Sequence, residues 1–335
     1  MDQELLDWLD DPDGPSLRYR ILRELQDRDE SDPMVRACRA EIPRSPAVRG
    51  LLGSMHADGY WLQAHPKTGR QTGAGVEYGA FATTHFCLSY LAELGMDRSH
   101  PQIALAAERY LALQGEDGDW TWAGRYERLS CLLGYNVRTF VRLGYRDDPR
   151  LTRAVELLLA TERDDGGYLC GIHDRRYKTR QAKSCIRGSV KTLLAFAELP
   201  KLYGHPRVGR LVRYFLGRGG IFRSTDADVL VNTDMERPSY PITWRANAWE
   251  ILYALVRMGH GDGPRLHPAW RHLESLNDAR ERWVLNWTPA QCPWKVGKRG
   301  QANRWLTFYA LSAVRLRARS GAIPGNEPLL RSAGR

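Results

Sequence analysis

The chain has 335 residues, 43% of them hydrophobic and 10% aromatic, which supports a large core and argues against a disordered protein. No run approaches the ~20 consecutive apolar residues of a membrane-spanning helix, and the acidic opening from Met1 to Asp11 lacks the basic and apolar segments of a secretory leader, so a cytoplasmic protein is expected. The formal charge of +10 favours an anionic partner, yet no basic–aromatic motif accompanies it and nucleic acid is not expected.

In chain order, Ser16 to Leu25 is the first apolar helix candidate, and Asp32-Pro33 opens a short helix. A repeated start signal then follows: Ser45-Pro46, His100-Pro101, Asp148-Pro149, His205-Pro206 and His267-Pro268, spaced by 55, 48, 57 and 62 residues. Proline suits the first helical turn because the N–H it lacks would have had no partner there. Some 15 to 19 residues past each proline comes a turn with an aromatic residue: Trp61, Trp120, Tyr168, Phe222 and Trp283. A second, more apolar helix follows each turn, at Thr83 to Leu94, Ser130 to Leu143, Ser184 to Leu199, Trp244 to Met258 and Asn303 to Arg317. Glycines at 95, 144 and 259 close three of them as C-caps.

No segment alternates like a strand for any length, so the class is all-α. About five to six pairs of an amphipathic outer helix and an apolar inner helix bury best as an α/α barrel, with an open solenoid as the alternative. One domain is expected over 1–335, with repeats over about 15–318 and a flexible tail from Ser320 to Arg335. The glycine-rich stretches 68–79 and 259–264 read as surface loops.

Gln114-Gly-Glu-Asp-Gly118-Asp-Trp120, with Tyr110-Leu111 ahead of it, resembles the QW motif of terpenoid cyclases, and Glu162 to Tyr168 repeats its spacing. Cys131-Leu-Leu-Gly134, the turn Asp165 to Cys170 and Arg304-Trp-Leu-Thr307 resemble short bacterial prenyltransferase-like proteins. The chain is thus similar to the squalene cyclase and protein prenyltransferase superfamily. That resemblance implies an apolar central cavity ringed by inner helices, whose amino ends line one mouth. The Asp-x-Asp-Asp acid of class II cyclases has no match here; Asp226-Ala-Asp228 and Asp164-Asp165 come nearest. Protein prenyltransferases hold zinc with an aspartate, a cysteine at an inner-helix start and a histidine. Cys185 occupies the cysteine's place, Lys183 stands where the aspartate would, and His85 resembles the histidine segment.

His85, Cys131, Cys170 and Cys185 are therefore the candidate ligands of a possible zinc ion, since soft thiolates with imidazole suit that metal. The competing reading makes Cys131 and Cys185 small buried apolar groups. His85 and Cys185, with His173 and Asp174 on the loop after Cys170, are the candidate catalytic groups. Arg138, Lys191, Arg245 and Arg304 fall on or at the start of inner helices, and either hold a diphosphate or carboxylate or pair with Glu93, Glu198 and Glu250. Trp244, Trp305 and Tyr309 (with Trp249 and Phe308) either line a substrate pocket or pack the core. The leading expectation is an enzyme that transfers or cyclises an isoprenoid diphosphate or similar apolar substrate. The alternatives are a non-catalytic binding protein of the same fold and a polysaccharide lyase-like barrel enzyme.

Overall fold

A computed structural model describes residues 3–11, 14–121, 128–171 and 183–320. After a short lead helix α1 (Gln3–Leu9), α2 (Pro15–Arg20) runs on through a π-turn (Ile21–Leu25). The outer-type helices are α3 (Pro33–Glu41), α4 (Pro46–Gly53), α6 (Pro101–Leu111), α8 (Pro149–Ala160), α10 (Pro206–Leu216) and α12 (His267–Glu274). The inner ones are α5 (Thr84–Glu93), α7 (Ser130–Phe140, extended by a π-turn to Tyr145), α9 (Ile186–Ala197), α11 (Ala248–Arg257) and α13 (Arg304–Ser320). Every proline picked out in the sequence stands in the first turn of its helix. The preceding side chain caps four of those helices: Asp32 Oδ1 accepts from Met34 N, Ser45 Oγ from Val48 N, Asp148 from Arg150 N, and His205 Nδ1 from Arg207 N.

The two helix types differ in burial. All ten residues of α5 and all eleven of α7 are buried, whereas α8 buries only Leu151, Ala154 and Leu158. A helix apolar on every side belongs in a core, and one with a single stripe belongs on its rim. The inner helices pack in succession, α5 on α7, α7 on α9, α9 on α11, α11 on α13, and α13 on the π-turn that ends α2. The α7–α9 contact is the tightest: a Cβ on Gly134 would lie 2.7 Å from the Lys191 carbonyl carbon.

The aromatic turns fasten this arrangement. The indoles of Trp61, Trp120 and Trp283 each donate to the carbonyl ten residues upstream, at Leu51 (2.7 Å), Tyr110 (3.2 Å) and Leu273 (2.8 Å). The backbone N–H groups of Trp61, Tyr168 and Trp283 donate to hydroxyls of the next inner helix, Thr84, Ser189 and Thr307. Sideways, Gln114 Nε2 donates to the Arg150 carbonyl at 2.8 Å, and Glu162 pairs with Arg210, so each turn also grips the next outer helix. Gly118 and Gly166 sit at positive φ, and a Cβ there would come within 2.8 Å of the Arg153 and Arg210 carbonyl oxygens.

Three expectations change. The fold is helix-rich but not wholly α: Gln63–Ala64 pairs with Gln71–Thr72, and Phe222–Arg223 pairs with Asp226–Leu230, so Asp226 and Asp228 stand exposed on a strand. The short polar runs were too brief to alternate visibly. Trp244 and Arg245 precede α11 instead of opening it, because the helix begins at the Asn247–Glu250 capping box. Cys185 is the N-cap of α9, not part of its first turn.

Towards the carboxyl ends of the inner helices lies a buried ion network. Glu93 meets Arg138, Arg20 (3.3 Å) and Tyr309; Glu198 meets Arg142 (3.1 Å), Arg257 (3.5 Å) and Arg138 (3.7 Å). Higher up, Lys191 Nζ binds both oxygens of Glu250 at 2.8 and 2.7 Å. Between these levels the interior is aromatic. Tyr240 stacks on Trp305 (5.6 Å) and abuts Trp294 (5.5 Å), and Trp249 lies 4.6 Å from Tyr309.

Candidate functional site

The amino ends of the inner helices carry three groups of chemically capable residues. The first is a thiol corner. Cys131, the second residue of α7, lies with its Sγ 3.4 Å from that of Cys170, which follows the Tyr168 turn; Tyr78 Oη is 3.0 Å from Cys131 Sγ. Cys185 joins them through its N–H, which donates to the Tyr168 carbonyl at 2.7 Å. The hydrogen bond from Cys170 draws the Cys131 thiol down, against burial and with help from Tyr78. The same bond, with burial, pushes Cys170 up, while burial raises Tyr78 and Cys185. Cys131 Sγ thus lies within hydrogen-bond reach of both Cys170 and Tyr78.

His85 stands apart from these thiols. It is buried among the rings of Phe86 (4.1 Å), Tyr135 (5.8 Å) and Tyr110 (6.1 Å), and burial pushes it down to about 3. Its Nδ1 has no hydrogen-bond partner among the described residues. Among those residues no group of three or more His, Cys, Asp or Glu side chains has the geometry to hold a metal ion. His173 and Asp174 lie outside the described residues.

The second group surrounds Asp234. This buried carboxylate binds Arg245 Nη2 at 2.6 Å and Arg187 Nη2 at 2.9 Å. The Arg187 guanidinium lies 4.7 Å over the Trp244 ring and that of Arg245 4.9 Å over Trp287. Phe81 completes the surface, 5.8 Å from Trp287 and 6.4 Å from Trp244. Burial lowers the Arg245 guanidinium; Asp234 opposes this, and Arg187 and Arg237 add to it. Two guanidinium groups therefore share one carboxylate, leaving net positive charge. Of this group the sequence reading named only Trp244 and Arg245. Arg187, in the first turn of α9, had the same signal of a charge at an inner-helix start; Asp234, Trp287 and Phe81 come from loops with no periodic pattern.

The third group is a cleft of about 560 Å³ where α13 meets α2 and α4, and both Arg304 and Trp305 line it. The remaining residues picked from the sequence lie deeper. Arg138 and Lys191 are matched by Glu93 and Glu250, and Tyr309 Oη accepts from Arg20 at 2.6 Å. The four basic residues expected to act together consequently lie in four different places.

No known family model matches the chain, and no curated protein matches it. Among solved structures it is similar to a polysaccharide lyase (14% identity, 93% of this chain and 92% of that one, TM-score 0.51). It is also similar to a glycosyl hydrolase of family 88 from Bacteroides vulgatus (13% identity, 92% and 91%, TM-score 0.50). A type II terpene cyclase from Scytonema aligns at 11% identity over 85% of this chain and 99% of that one, with a TM-score of 0.33. These are α/α-barrel-like folds, and at such identities the likeness is one of fold.

Proposed function

We propose that this chain is an α/α-barrel enzyme that takes an acidic sugar at the amino-end mouth of its inner helices. The observation that carries this reading is the surface of Trp244, Trp287 and Phe81 with Arg187 and Arg245 above Asp234. Indole and phenyl faces offer flat apolar platforms to the C–H face of a pyranose. A guanidinium fork matches a carboxylate bidentately, and the excess of cations around Asp234 leaves charge for one more anion. Two similar structures, a polysaccharide lyase and a glycosyl hydrolase, are in keeping with that chemistry. The isoprenoid reading needs an apolar channel along the axis, where Tyr240, Trp249, Trp294, Trp305 and Tyr309 pack on one another. His173 and Asp174 are the proposed proton-transfer pair, by sequence position after Cys170.

The test is titration of tryptophan fluorescence with a glucuronate-containing oligosaccharide and, separately, with geranylgeranyl diphosphate. Saturable quenching by the saccharide, lost in Trp244→Ala and Arg245→Ala, supports the proposal. Saturation by the diphosphate alone overturns it and restores the prenyl reading. With turnover, an ultraviolet-absorbing unsaturated product identifies elimination, and new reducing ends without that absorbance identify hydrolysis. A zinc ion drawing on His85, Cys131, Cys170 and Cys185 is a separate proposal, and it requires a rearrangement, because no three of these groups converge among the described residues. Elemental analysis of the wild type and Cys131→Ala decides it: near-stoichiometric zinc lost in the variant supports it, and a metal-free folded wild type ends it.

A further inference from the structure

The third group has no part in that reading, and its chemistry points elsewhere. Lys295 and Lys298 stand exposed at the edge of the 560 Å³ cleft, with Arg304 beside them. The only carboxylate among its described lining residues is Asp11, 3.6 Å from Arg304 Nη1, while Arg304 Nε donates to the Trp8 carbonyl at 2.7 Å. The cleft thus carries two more cationic side chains than anionic ones. Seventeen-residue α13 opens into it: Asn303 Oδ1 accepts from Leu306 N and the Asn303 carbonyl from Thr307 N, while the N–H groups of Arg304 and Trp305 have no intrahelical acceptor. Such a helix end attracts anions.

Independently of the helix end, Ser16 on the cleft wall is 2% exposed, and its Oγ has no hydrogen-bond partner among the described residues. A buried hydroxyl without a partner costs stability, and an oxyanion would satisfy it as an acceptor.

We propose that this cleft is a binding site for a phosphate-type oxyanion, with Ser16 Oγ and the first N–H groups of α13 as donors and Lys295 and Lys298 as the charges that hold it. The volume exceeds that of a bare phosphate, so the group arrives as a small ester with room for its organic part.

Isothermal titration calorimetry on the full chain tests this, with inorganic phosphate and glucose 6-phosphate at constant ionic strength. Saturable binding is expected, tighter for the ester. The double variant Lys295→Gln/Lys298→Gln, at two exposed positions, should keep the wild-type melting temperature and lose at least about tenfold in affinity. Ser16→Ala should lose several-fold with its melting temperature unchanged or raised. If inorganic phosphate binds as tightly as the ester, the ligand is the free anion and the site stands. No saturable heat with either probe, binding equal in wild type and double variant, or equal competition by chloride overturns the proposal.

Discussion

The two ends of the inner helices both hold more guanidinium groups than carboxylates, but at different depths. At the carboxyl ends Glu93 and Glu198 are each shared among arginines, and burial, which would raise both carboxyls, is overcome by Arg138, Arg142, Arg20 and Arg257. At the amino ends stand two guanidinium groups on Asp234, two lysines at the cleft beside α13, and the thiols of Cys131 and Cys170 3.4 Å apart. Removing water from an ion costs several kcal/mol, so a network that fills an end of the fold must be complete. What differs is access: Arg20 and Arg138 are buried, whereas the Arg187 side chain at the amino end is 39% exposed. The amino end is therefore the one whose cations are open to solvent, in keeping with the proposed function.

The comparison breaks most visibly at the closed end. Glu93→Gln leaves Arg20, Arg138 and Arg142 without their common partner and should cost about 3–5 kcal/mol, read as a lower midpoint in urea unfolding. An unchanged midpoint would mean the network contributes no more than the solvent-facing cations do. Next in size is Gly134→Ala, midway along the inner helices, where the new methyl meets the α9 backbone at 2.7 Å. Overpacking of this kind should cost roughly 1–3 kcal/mol, again in the unfolding midpoint, and the same substitution at Gly50, which has open space, should cost far less.

How much of this was legible in the sequence follows from what each signal measures. Proline after a capping residue reports a local backbone event, and Pro46, Pro101, Pro149, Pro206 and Pro268 each lie in a helix's first turn. The aromatic turns were equally visible because Trp61, Trp120 and Trp283 repeat one local bond to the carbonyl ten residues back. The facing of Arg138 and Lys191 was not visible. Both sit on helices buried on most or all sides, where periodicity carries no direction, so a pocket and an ion pair gave the same pattern. The Asp234 cluster was hidden for another reason. Its members come from α9 and from three loops, and loop residues meet through tertiary structure that no spacing encodes.

A pH series sharpens the comparison from within the core. His85 is held neutral to about 3 by burial, against 6.5 for its ordinary value. A base whose folded value is depressed binds its proton first in the unfolded chain, so stability is full above pH 6.5 and falls as pH drops from there towards 3. Glu198, held at about 2 against 4.5, adds its own loss only below pH 4.5. Asp119, raised to about 6 by burial, works the other way, favouring the fold as pH falls from 6 towards 3.8. Between pH 6.5 and 4.5 the decline therefore comes from His85 and from His260, which burial also lowers, against Asp119 and Glu250, which burial raises. In His85→Leu, urea midpoints across that window should fall less steeply than in the wild type, whatever the variant's absolute stability, the remaining decline belonging to His260; an unaltered decline would place the titrating group elsewhere.

The smallest expected stability effect is at the open end. Arg187 is 39% exposed and shares Asp234 with Arg245, so Arg187→Gln leaves the carboxylate paired and should change stability by no more than about 1 kcal/mol. Saccharide binding should nonetheless fall by tenfold or more in the fluorescence titration, because the lost cation is the one most open to a ligand. A variant that binds normally would leave Arg245 and Arg237 as the cations that count. One that binds normally and loses several kcal/mol would show Arg187 to be structural and the amino end to be completed by its ion pairs, as the carboxyl end is.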